Sequence, residues 1–243
     1  MRTVVVVPTY NEAGNLLQLA ELLLALEPQV DVLCVDDGSP DGTGDIADTI
    51  ASRNDRFHVI HRTGKRGYSV SSKEGMEWSL ARGYEIVATM DADLSHDPRV
   101  LPLLVTAVEE GTDLAIGSRY TQGGEIVVDW GPFRRAVSRA GSAYARLMVG
   151  VKTQDCTSGF RCYRASTLSQ VRISEIRSEG YSFLIEMLAG LRDHDAVIVE
   201  VPITYVDRHH GSSKISKAII FEALVRTSEV GAARLTHSFR RRP

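Results

Sequence analysis

Short apolar runs alternate with segments of helical periodicity along the first half of the chain. The apolar runs are short and rich in Val and Ile, as expected of strands buried on both faces, and the segments between them show helical spacing of apolar positions. The predicted strands are 3–7, 30–35, 58–61, 86–90 and 114–117. The predicted helices are 13–26, 43–53, 70–82 and 99–110. This alternation predicts an α/β fold with a Rossmann-like, mostly parallel sheet that has helices on both faces.

The second half of the chain is less regular. After a glycine-rich polar loop that reaches Gly131, the predicted elements are a helix at 133–149, mixed strand and loop at 153–163, a helix at 183–191, a strand at 196–201, a loop at 204–214 and a last helix at 216–235. No internal repeat or low-complexity linker divides the sequence. We therefore expect a single domain over residues 1–215, followed by a C-terminal helix and a basic tail at 216–243.

Composition argues against several classes of protein. The 28 Lys and Arg residues against 31 Asp and Glu residues give a net charge of −3, which disfavours nucleic-acid binding driven by bulk charge. The three cysteines lack a C-x-x-C spacing, so neither a disulfide framework nor a structural zinc site is expected. The apolar run at 4–7 is too short for a signal peptide, and Gln18 and Glu21 interrupt the most apolar helix. We expect a cytoplasmic protein without a membrane span.

Two carboxylates follow the strand at 86–90. Asp91 and Asp93 are two residues apart, so both side chains would project to the same side of the sheet edge. Converging carboxylates are the ligands that Mg²⁺ or Mn²⁺ prefers. The alternative is that such a residue caps the next helix, which is the role expected for Asp97.

The first two strands also end in polar turns. Pro8-Thr9-Tyr10-Asn11-Glu12 follows the first strand, and residues 36–43, Asp-Asp-Gly-Ser-Pro-Asp-Gly-Thr, follow the second. Helix capping by Asn11 and Thr43 accounts for part of this pattern. It does not account for the adjacent Asp36 and Asp37, whose like charges repel unless donors or a cation meet them. At this edge a carboxylate can bind a base or ribose hydroxyls, although the absence of G-x-G-x-x-G disfavours a dehydrogenase-type dinucleotide site.

Cationic and hydroxyl side chains come later in the chain. Arg119 lies just past the strand at 114–117, and residues 208–214, Arg-His-His-Gly-Ser-Ser-Lys, form a basic glycine- and serine-rich loop. Trp130, Arg134 and Ser138 are spaced by four and share one face of the predicted helix. An anion would be favoured near the start of that helix. The alternative is a solvated basic face that includes Arg135 and Arg139.

The motifs together resemble a known family. P-T-Y-N-E, V-D-D-G-S-P-D-G-T, M-D-A-D-L-S-H and I-G-S-R-Y resemble the inverting family 2 glycosyltransferases with a GT-A fold, and more closely the polyprenol-phosphate (dolichol-phosphate) mannosyltransferases. The resemblance runs from about residue 4 to 217 and includes signatures at 155–161 and 180–186. It implies a nucleotide-sugar-binding half at 1–118 and an acceptor-side half at 119–215.

The resemblance also implies roles for individual residues. Those matched to the nucleotide sugar are Pro8, Tyr10, Glu12, Asp36, Asp37, Asp91, Asp93, Arg208 and Lys214, with Asp91 and Asp93 as metal ligands. Those matched to catalysis and the acceptor phosphate are Asp93, Arg119, Arg134 and Ser138. Ser95 occupies a position where family members often have Gln. The loop at 65–72 keeps its basic start and Gly67, but Tyr68 departs from the family's K-x-G-L-G-x-A pattern, which leaves the identity of the sugar or acceptor open.

The implied reaction is transfer of a hexose, with inversion, to polyprenol monophosphate. The expected donor is GDP-mannose and the expected cofactor Mg²⁺ or Mn²⁺; no nucleic acid is expected as a partner. The alternatives are a glucosyl or other UDP-sugar donor, a polysaccharide acceptor, or a nucleotide-sugar-binding protein without turnover. A lipid acceptor would require peripheral contact with the cytoplasmic face of a membrane, or a membrane-embedded partner subunit. Residues 219, 220, 223 and 224 could form an apolar docking stripe, and the arginines at 240–242 could contact anionic lipid. The alternatives are core packing for the stripe and a solvated chain end for the arginines.

Overall fold

A seven-stranded sheet forms the centre of the molecule. The computed structural model describes residues 1–128, 132–206 and 224–232, apart from the side chains of residues 132–134 and 181. The strands of the sheet are β1 (Thr3–Thr9), β2 (Asp31–Asp36), β3 (Phe57–His61), β4 (Ile86–Thr89), β5 (Leu114–Ser118), β7 (Arg161–Arg164) and β8 (Ile198–Pro202). Their order is β3-β2-β1-β4-β7-β5-β8. A two-stranded ribbon, β6 (Glu125–Ile126) with β9 (Thr204–Tyr205), lies apart from this sheet.

The sheet is parallel except at one strand. β7 runs antiparallel to both of its neighbours, β4 and β5, whereas β1, β2, β3 and β4 pair in parallel, as do β5 and β8. The predicted mostly parallel sheet is thus confirmed. The parallel strands bring their carboxyl ends to one edge, where ligands bind in such folds.

Helices cover both faces of the sheet. They are α1 (Leu16–Leu24), α2 (Thr43–Ala51), α3 (Tyr68–Ala81), α4 (Leu101–Glu109), α5 (Pro132–Val149), α6 (Ala165–Leu168) and α7 (Gly180–Asp193). Val5 and Val7 of β1 pack in one core cluster, with α1, α2 and α4, whereas Val4 and Val6 pack in the other, with α3 and α7. Burial on both faces explains why β1 is a continuous apolar run.

The structure corrects two capping predictions. Asn11 does not cap α1, which begins at Leu16 with Asn15 at the N-cap; Asn11 instead has a left-handed backbone with φ of 62°. Thr43 is the first residue of α2 rather than its cap, a position held by Gly42. The prediction for Asp97 is confirmed, because its side chain accepts a hydrogen bond from the Arg99 backbone N–H in the short helical turn Pro98–Val100.

The end of the chain is described only over residues 224–232, which are helical. This segment packs on α5: Tyr144 Oη and Ser228 Oγ are 2.7 Å apart, and Gly231 lies against Met148. Of the predicted docking stripe, Leu224 is 44% exposed, and residues 219, 220 and 223 lie outside the described part. None of the described helices is long and apolar enough to span a membrane.

Candidate active site

A cavity of about 440 Å³ opens at the carboxyl edge of the sheet. Its lining comes from the ends of β1, β2 and β4, the start of α3, the loop before β7 and the start of α7. The lining residues are Pro8, Thr9, Tyr10, Glu12, Asp37, Arg66, Gly67, Tyr68, Ser71, Asp91, Ala92, Asp93, Thr157, Gly159, Gly180 and Leu184. Six of the predicted nucleotide-sugar residues are in this set: Pro8, Tyr10, Glu12, Asp37, Asp91 and Asp93.

The turns after β1 and β2 are held together by side chains of the second turn. Three successive backbone N–H groups of the first turn donate across the gap: Asn11 to Ser39 Oγ (3.0 Å), Glu12 to Thr43 Oγ1 (2.9 Å) and Ala13 to Asp41 Oδ2 (3.1 Å). The buried Thr43 hydroxyl in turn donates to Asp41 Oδ1 at 2.6 Å. The Asp-Gly-Ser-Pro-Asp-Gly-Thr sequence therefore fixes the turn that carries Tyr10 and Glu12.

Asp36 and Asp37 are adjacent in sequence but have different surroundings. Asp36 is not among the cavity-lining residues; it accepts bonds from Thr9 and from the hydroxyl and backbone N–H of Ser39. Asp37 lines the cavity and accepts from the Arg62 guanidinium and, at 2.6 Å, from the Gly67 backbone N–H. These donors offset the repulsion between the two carboxylates. A role for either residue at the nucleoside stays a prediction.

Asp93 is held in place by Ser95. The Ser95 hydroxyl and backbone N–H both donate to Asp93 Oδ1, at 2.6 and 3.0 Å. This contact requires a sharp turn at Leu94, whose φ of 60° is unusual for a residue other than glycine. Ser95 thus orients the Asp93 carboxylate, which the sequence predicts to bind a metal. The position of Ser95 in the motif does not by itself reveal these hydrogen bonds.

Asp91 faces the opening above Gly159. A Cβ atom placed on Gly159 would lie 3.1 Å from Asp91 Oδ1 and 3.0 Å from Tyr68 Oη, so the glycine keeps this space clear. Behind Asp91, the buried His96 ring has its Nδ1 4.0 Å from Asp91 Oδ2 and stacks on Phe160. The two carboxylates offer the oxygen ligands that a divalent cation prefers, and their role as metal ligands stays a prediction.

The start of α3 contributes residues that sequence analysis missed. Arg66 lines the cavity, donates to Tyr10 Oη at 3.0 Å and lies over the Tyr10 ring. Tyr68 lies opposite Phe183, and burial together with the nearby Asp91 charge raises the pKa of its phenol well above the usual value. The basic start of the loop at 65–67 is a sequence signal that could have indicated a binding role for Arg66. The departure from the family pattern singles out position 68 but does not predict that Tyr68 lines the cavity.

Arg119 is engaged by a buried acidic partner. Its Nε and Nη2 donate to the two carboxylate oxygens of Asp155 at 2.7 and 2.8 Å, and Nη2 also donates to the cavity-lining Thr157 at 2.9 Å. Burial alone would raise the pKa of Asp155, but the charge and hydrogen bonds of Arg119 outweigh it and lower that pKa. Arg119 therefore does not line the cavity itself but contacts Thr157, which does. Its contact with a phosphate stays a prediction.

Tyr120 links Arg119 to α5. Its hydroxyl shares a 2.6 Å hydrogen bond with Ser138, and the Arg119 guanidinium lies 5.3 Å from its ring centre. Ser138 is thus placed beside the Arg119 region, although neither residue lines the cavity. Trp130, Arg208 and Lys214 lie outside the described residues, as does the side chain of Arg134.

Sequence comparison now decides the family. Residues 4–172 match the family model for glycosyl transferase family 2. The chain belongs to glycosyl transferase family 2. The chain is therefore a glycosyltransferase, and the resemblance inferred from the motifs is confirmed.

Curated relatives align with nearly the whole chain. An undecaprenyl-phosphate mannosyltransferase of Micrococcus luteus is 46% identical over 96% of this chain and 95% of its own length. A polyprenol monophosphomannose synthase of Mycolicibacterium smegmatis is 45% identical over 95% of this chain and 87% of its own length. A dolichol-phosphate mannosyltransferase of Pyrococcus furiosus is 34% identical over 92% of this chain, which spans 62% of that longer protein.

Solved structures agree on the fold. Glucosyl-3-phosphoglycerate synthase from Mycobacterium tuberculosis, crystallised with Mn²⁺, UDP and glucosyl-3-phosphoglycerate, superposes with a TM-score of 0.64 and 22% identity, over 97% of this chain and 79% of that one. The same enzyme with Mg²⁺ and UDP gives a TM-score of 0.65. The GT-A fold of this family 2 member is thus established.

Proposed function

We propose that this glycosyltransferase moves mannose from GDP-mannose to the phosphate of a polyprenol monophosphate. The observation that supports this most is the cavity, which joins the turns after β1 and β2 to the Asp91 and Asp93 carboxylates. Relatives that are 45–46% identical over nearly the full chain are named for mannosyl transfer to polyprenyl phosphates. The acceptor phosphate would approach from the side of Arg119, Tyr120 and Ser138.

Asp91 and Asp93 would hold a divalent cation against the donor diphosphate. Carboxylate oxygens suit Mg²⁺ or Mn²⁺, and Gly159 leaves the space beside Asp91 free of a side chain. No group of three or more His, Cys, Asp or Glu side chains suited to a metal occurs among the described residues, so diphosphate oxygens and water would complete the shell. When bound, the cation would neutralise charge on the diphosphate leaving group.

The acceptor supplies its own nucleophile. A phosphate monoester has a second pKa of about 6, so its oxygens are largely anionic at neutral pH and need no general base from the protein. An acceptor oxygen would attack the anomeric carbon as the bond to the diphosphate breaks on the opposite face, which inverts the configuration. Arg119, Arg134 and Ser138 would hold the acceptor in line, and Arg208 and Lys214 would contact the departing diphosphate.

A transfer assay tests the proposal. The purified chain would be incubated with radiolabelled GDP-mannose or UDP-glucose, a polyprenyl phosphate and Mg²⁺ or Mn²⁺, and the label in the lipid product would be counted. We expect mannosyl lipid from GDP-mannose, its loss with EDTA, and at least a hundredfold lower rate for Asp93→Asn. Transfer from UDP-glucose alone, or release of free sugar without lipid product, would contradict the proposal.

A further inference from the structure

Tyr205 lies where the two sides of the candidate active site meet. It is the second residue of β9, where its backbone pairs with Ile126 of β6 and its carbonyl accepts the Val127 N–H at 2.9 Å. Its side chain is half-buried and does not line the cavity. The contacts of this side chain nevertheless reach both the segment that carries the predicted metal ligands, 91–96, and Arg119.

On the metal side, the Tyr205 phenol hydrogen-bonds to the hydroxyl of Ser95. Ser95 is fully buried, and its hydroxyl donates to Asp93 Oδ1 at 2.6 Å. Because a serine hydroxyl has a single proton, the Ser95 oxygen accepts from Tyr205 rather than donating to it. The result is a relay of hydroxyl groups that runs from Tyr205 through Ser95 to the Asp93 carboxylate.

The Tyr205 phenol keeps the proton that this relay requires. Burial raises the pKa of the phenol above its usual value, and the charges of Asp93 and Asp91 raise that pKa further. The hydrogen bond with Ser95 and the charge of Arg119 lower the pKa but do not outweigh these effects. The phenol is therefore neutral at neutral pH and acts as a hydrogen-bond donor.

The end of β9 also braces the segment that carries the two carboxylates. The Tyr205 ring meets the His96 ring edge to face, with the ring centres 5.5 Å apart, and His96 Nδ1 lies 4.0 Å from Asp91 Oδ2. The next residue, Val206, donates its backbone N–H to the Ser95 carbonyl at 3.2 Å. Ring, hydroxyl and backbone contacts at this end of β9 thus all converge on residues 91–96.

On the acceptor side, the Tyr205 ring lies against Arg119. The guanidinium carbon is 5.3 Å from the ring centre, a distance at which the electron-rich face of a ring attracts a cation. Asp155 holds the same guanidinium through its Nε and Nη2 groups. The orientation of the guanidinium therefore depends on an aromatic ring as well as on a carboxylate.

We propose that Tyr205 is a positioning residue that fixes Asp93 and Arg119 relative to each other, through its hydroxyl on the metal side and its ring on the acceptor side. The inference rests on the proposed function, in which Asp93 binds the metal and Arg119 binds the acceptor phosphate. A divalent cation and a guanidinium repel each other, so the protein must set their separation if donor and acceptor are to meet in line. Tyr205 is one side chain that contacts both sides.

Two substitutions separate the hydroxyl from the ring. Tyr205→Phe removes the hydroxyl alone, and Tyr205→Leu removes the ring as well. Mn²⁺ binding in the presence of GDP would be measured by electron paramagnetic resonance, and binding of a short-chain prenyl phosphate without donor by isothermal titration calorimetry. We expect Tyr205→Phe to weaken Mn²⁺ binding about threefold to tenfold and to leave prenyl phosphate binding within about twofold. Tyr205→Leu should also weaken prenyl phosphate binding about fivefold to tenfold.

A double-mutant cycle tests the hydroxyl relay. If Tyr205 acts on Asp93 through Ser95, adding Tyr205→Phe to Ser95→Ala should change Mn²⁺ binding by less than about twofold. The matched control is Tyr144, which is also half-buried and whose hydroxyl bonds to a serine, Ser228, at 2.7 Å away from the cavity. Tyr144→Phe and Tyr144→Leu should leave both binding constants unchanged.

Several results would overturn the inference. They are normal Mn²⁺ binding by Tyr205→Phe, equal weakening of both ligands by that variant, additive effects in the cycle, or no Mn²⁺ binding by the unmodified chain. Lower thermal stability of the Tyr205 variants with unchanged binding constants would assign the side chain a structural role only. Circular dichroism would verify folding, and Tyr205→Met, which also lacks an aromatic ring, would replace Tyr205→Leu if the latter does not fold.

The binding measurements separate this inference from the proposed function. If the Tyr205 variants change the binding constants as expected but the unmodified chain transfers no mannose to a polyprenyl phosphate, the positioning role stands and the proposed function fails. If the unmodified chain transfers mannose from GDP-mannose but the Tyr205 variants bind Mn²⁺ and prenyl phosphate normally, the proposed function stands and the positioning role fails.

Discussion

Asp91, Asp93 and Tyr68 all line the cavity but differ in their burial and hydrogen bonding. Asp93 is 3% exposed and receives two bonds from Ser95, whereas the Asp91 side chain is 34% exposed and faces the space above Gly159. Tyr68 borders that same space with a hydroxyl group. Because burial and the Asp91 charge raise its pKa well above the usual value, the phenol stays protonated at neutral pH and can donate a hydrogen bond.

We expect Tyr68→Phe to lower kcat/KM for the sugar donor about fivefold to tenfold, the effect of losing one hydrogen bond of about 1 kcal/mol. The measurement is initial-rate kinetics over a range of donor concentrations. Tyr84→Phe is the matched control, because its hydroxyl bonds to Asp31 and Tyr84 does not line the cavity. Equal kinetics for the two variants would show that the Tyr68 hydroxyl does not act on the donor.

The buried ion pair of Arg119 and Asp155 gives a second prediction at this scale. Asp155→Asn would leave the buried guanidinium without its counter-charge, which we expect to cost about 3 kcal/mol of unfolding free energy. The folded-state pKa of Asp155 is lowered, so the pair's contribution is complete above the unfolded pKa of about 4 and is lost as the pH falls through the folded value. Urea unfolding at pH 7 and at pH 3 measures this difference.

The stability gap between the unmodified chain and Asp155→Asn should therefore shrink on acidification. Glu200 offers a control, since its carboxylate accepts the backbone N–H groups of Gln154 and Asp155 without pairing with Arg119. Glu200→Gln keeps an oxygen acceptor for only one of these two N–H groups, so its effect at pH 7 should be about 1–2 kcal/mol, still smaller than that of Asp155→Asn. A gap for Asp155→Asn that stays constant with pH would contradict the ion-pair interpretation.

At the scale of secondary-structure elements, the turn between β2 and α2 supports the geometry of the site. The buried Thr43 hydroxyl accepts from Glu12 N–H and donates to Asp41, so it joins two turns that border the cavity. We expect Thr43→Val to lower the unfolding free energy by about 1–2 kcal/mol and to raise KM for the donor, since Tyr10 and Glu12 lose their support.

Thr49→Val in the same helix is the control for Thr43→Val. Thr49 is exposed, and its hydroxyl donates to the Asp45 carbonyl within α2, so the change should stay within about 0.5 kcal/mol. Chemical denaturation and donor kinetics on both variants provide the comparison. Equal stability losses would indicate that the replacement of a hydroxyl by a methyl group in α2, rather than the loss of the cross-turn bond, is responsible.

Elements buried on both faces were the most predictable from sequence. β4 ends at Thr89 against a predicted 90, and β5 spans Leu114–Ser118 against a predicted 114–117. Helix starts were less predictable, because tertiary bonds rather than propensity set them; α1 begins three residues after its predicted start. The sequence predicts only mixed strand and loop at 153–163 and does not separate β7, because the strands that pair with β7, β4 and β5, are far away along the chain.

The candidate site was predictable from the sequence in part: the residues at strand ends were predictable, and the pairings between distant residues were not. Strand-end carboxylates could be placed at one edge because parallel strands end together, and Asp37, Asp91 and Asp93 do line one cavity. Asp155 as the partner of Arg119, and Tyr120 as the neighbour of Ser138, depend on contacts across 36 and 18 residues. Neither pairing leaves a local pattern in the sequence.

For the whole molecule, the position of β7 determines how the two predicted halves depend on each other. β7 lies between β4 and β5, so the nucleotide-sugar-binding half, 1–118, has no direct β4 to β5 pairing. Arg161 of β7 is fully buried and donates to the carbonyls of Cys156, Ser158 and Leu184, which ties the strand to α7. The halves should therefore fold as one unit.

We expect a fragment of residues 1–118 to lack cooperative unfolding, because removing β7 exposes apolar residues of β4 and leaves the β4 and β5 hydrogen-bonding edges without partners. A fragment of residues 1–206 retains the nine strands of the described part of the chain and should unfold in one transition. Circular dichroism and urea denaturation of both fragments, beside the full chain, give the comparison. A cooperative transition for 1–118, with an m-value proportional to its length, would contradict this expectation. It would show that residues 1–118 form an independent domain whose sheet folds without β7 and the predicted acceptor-side half.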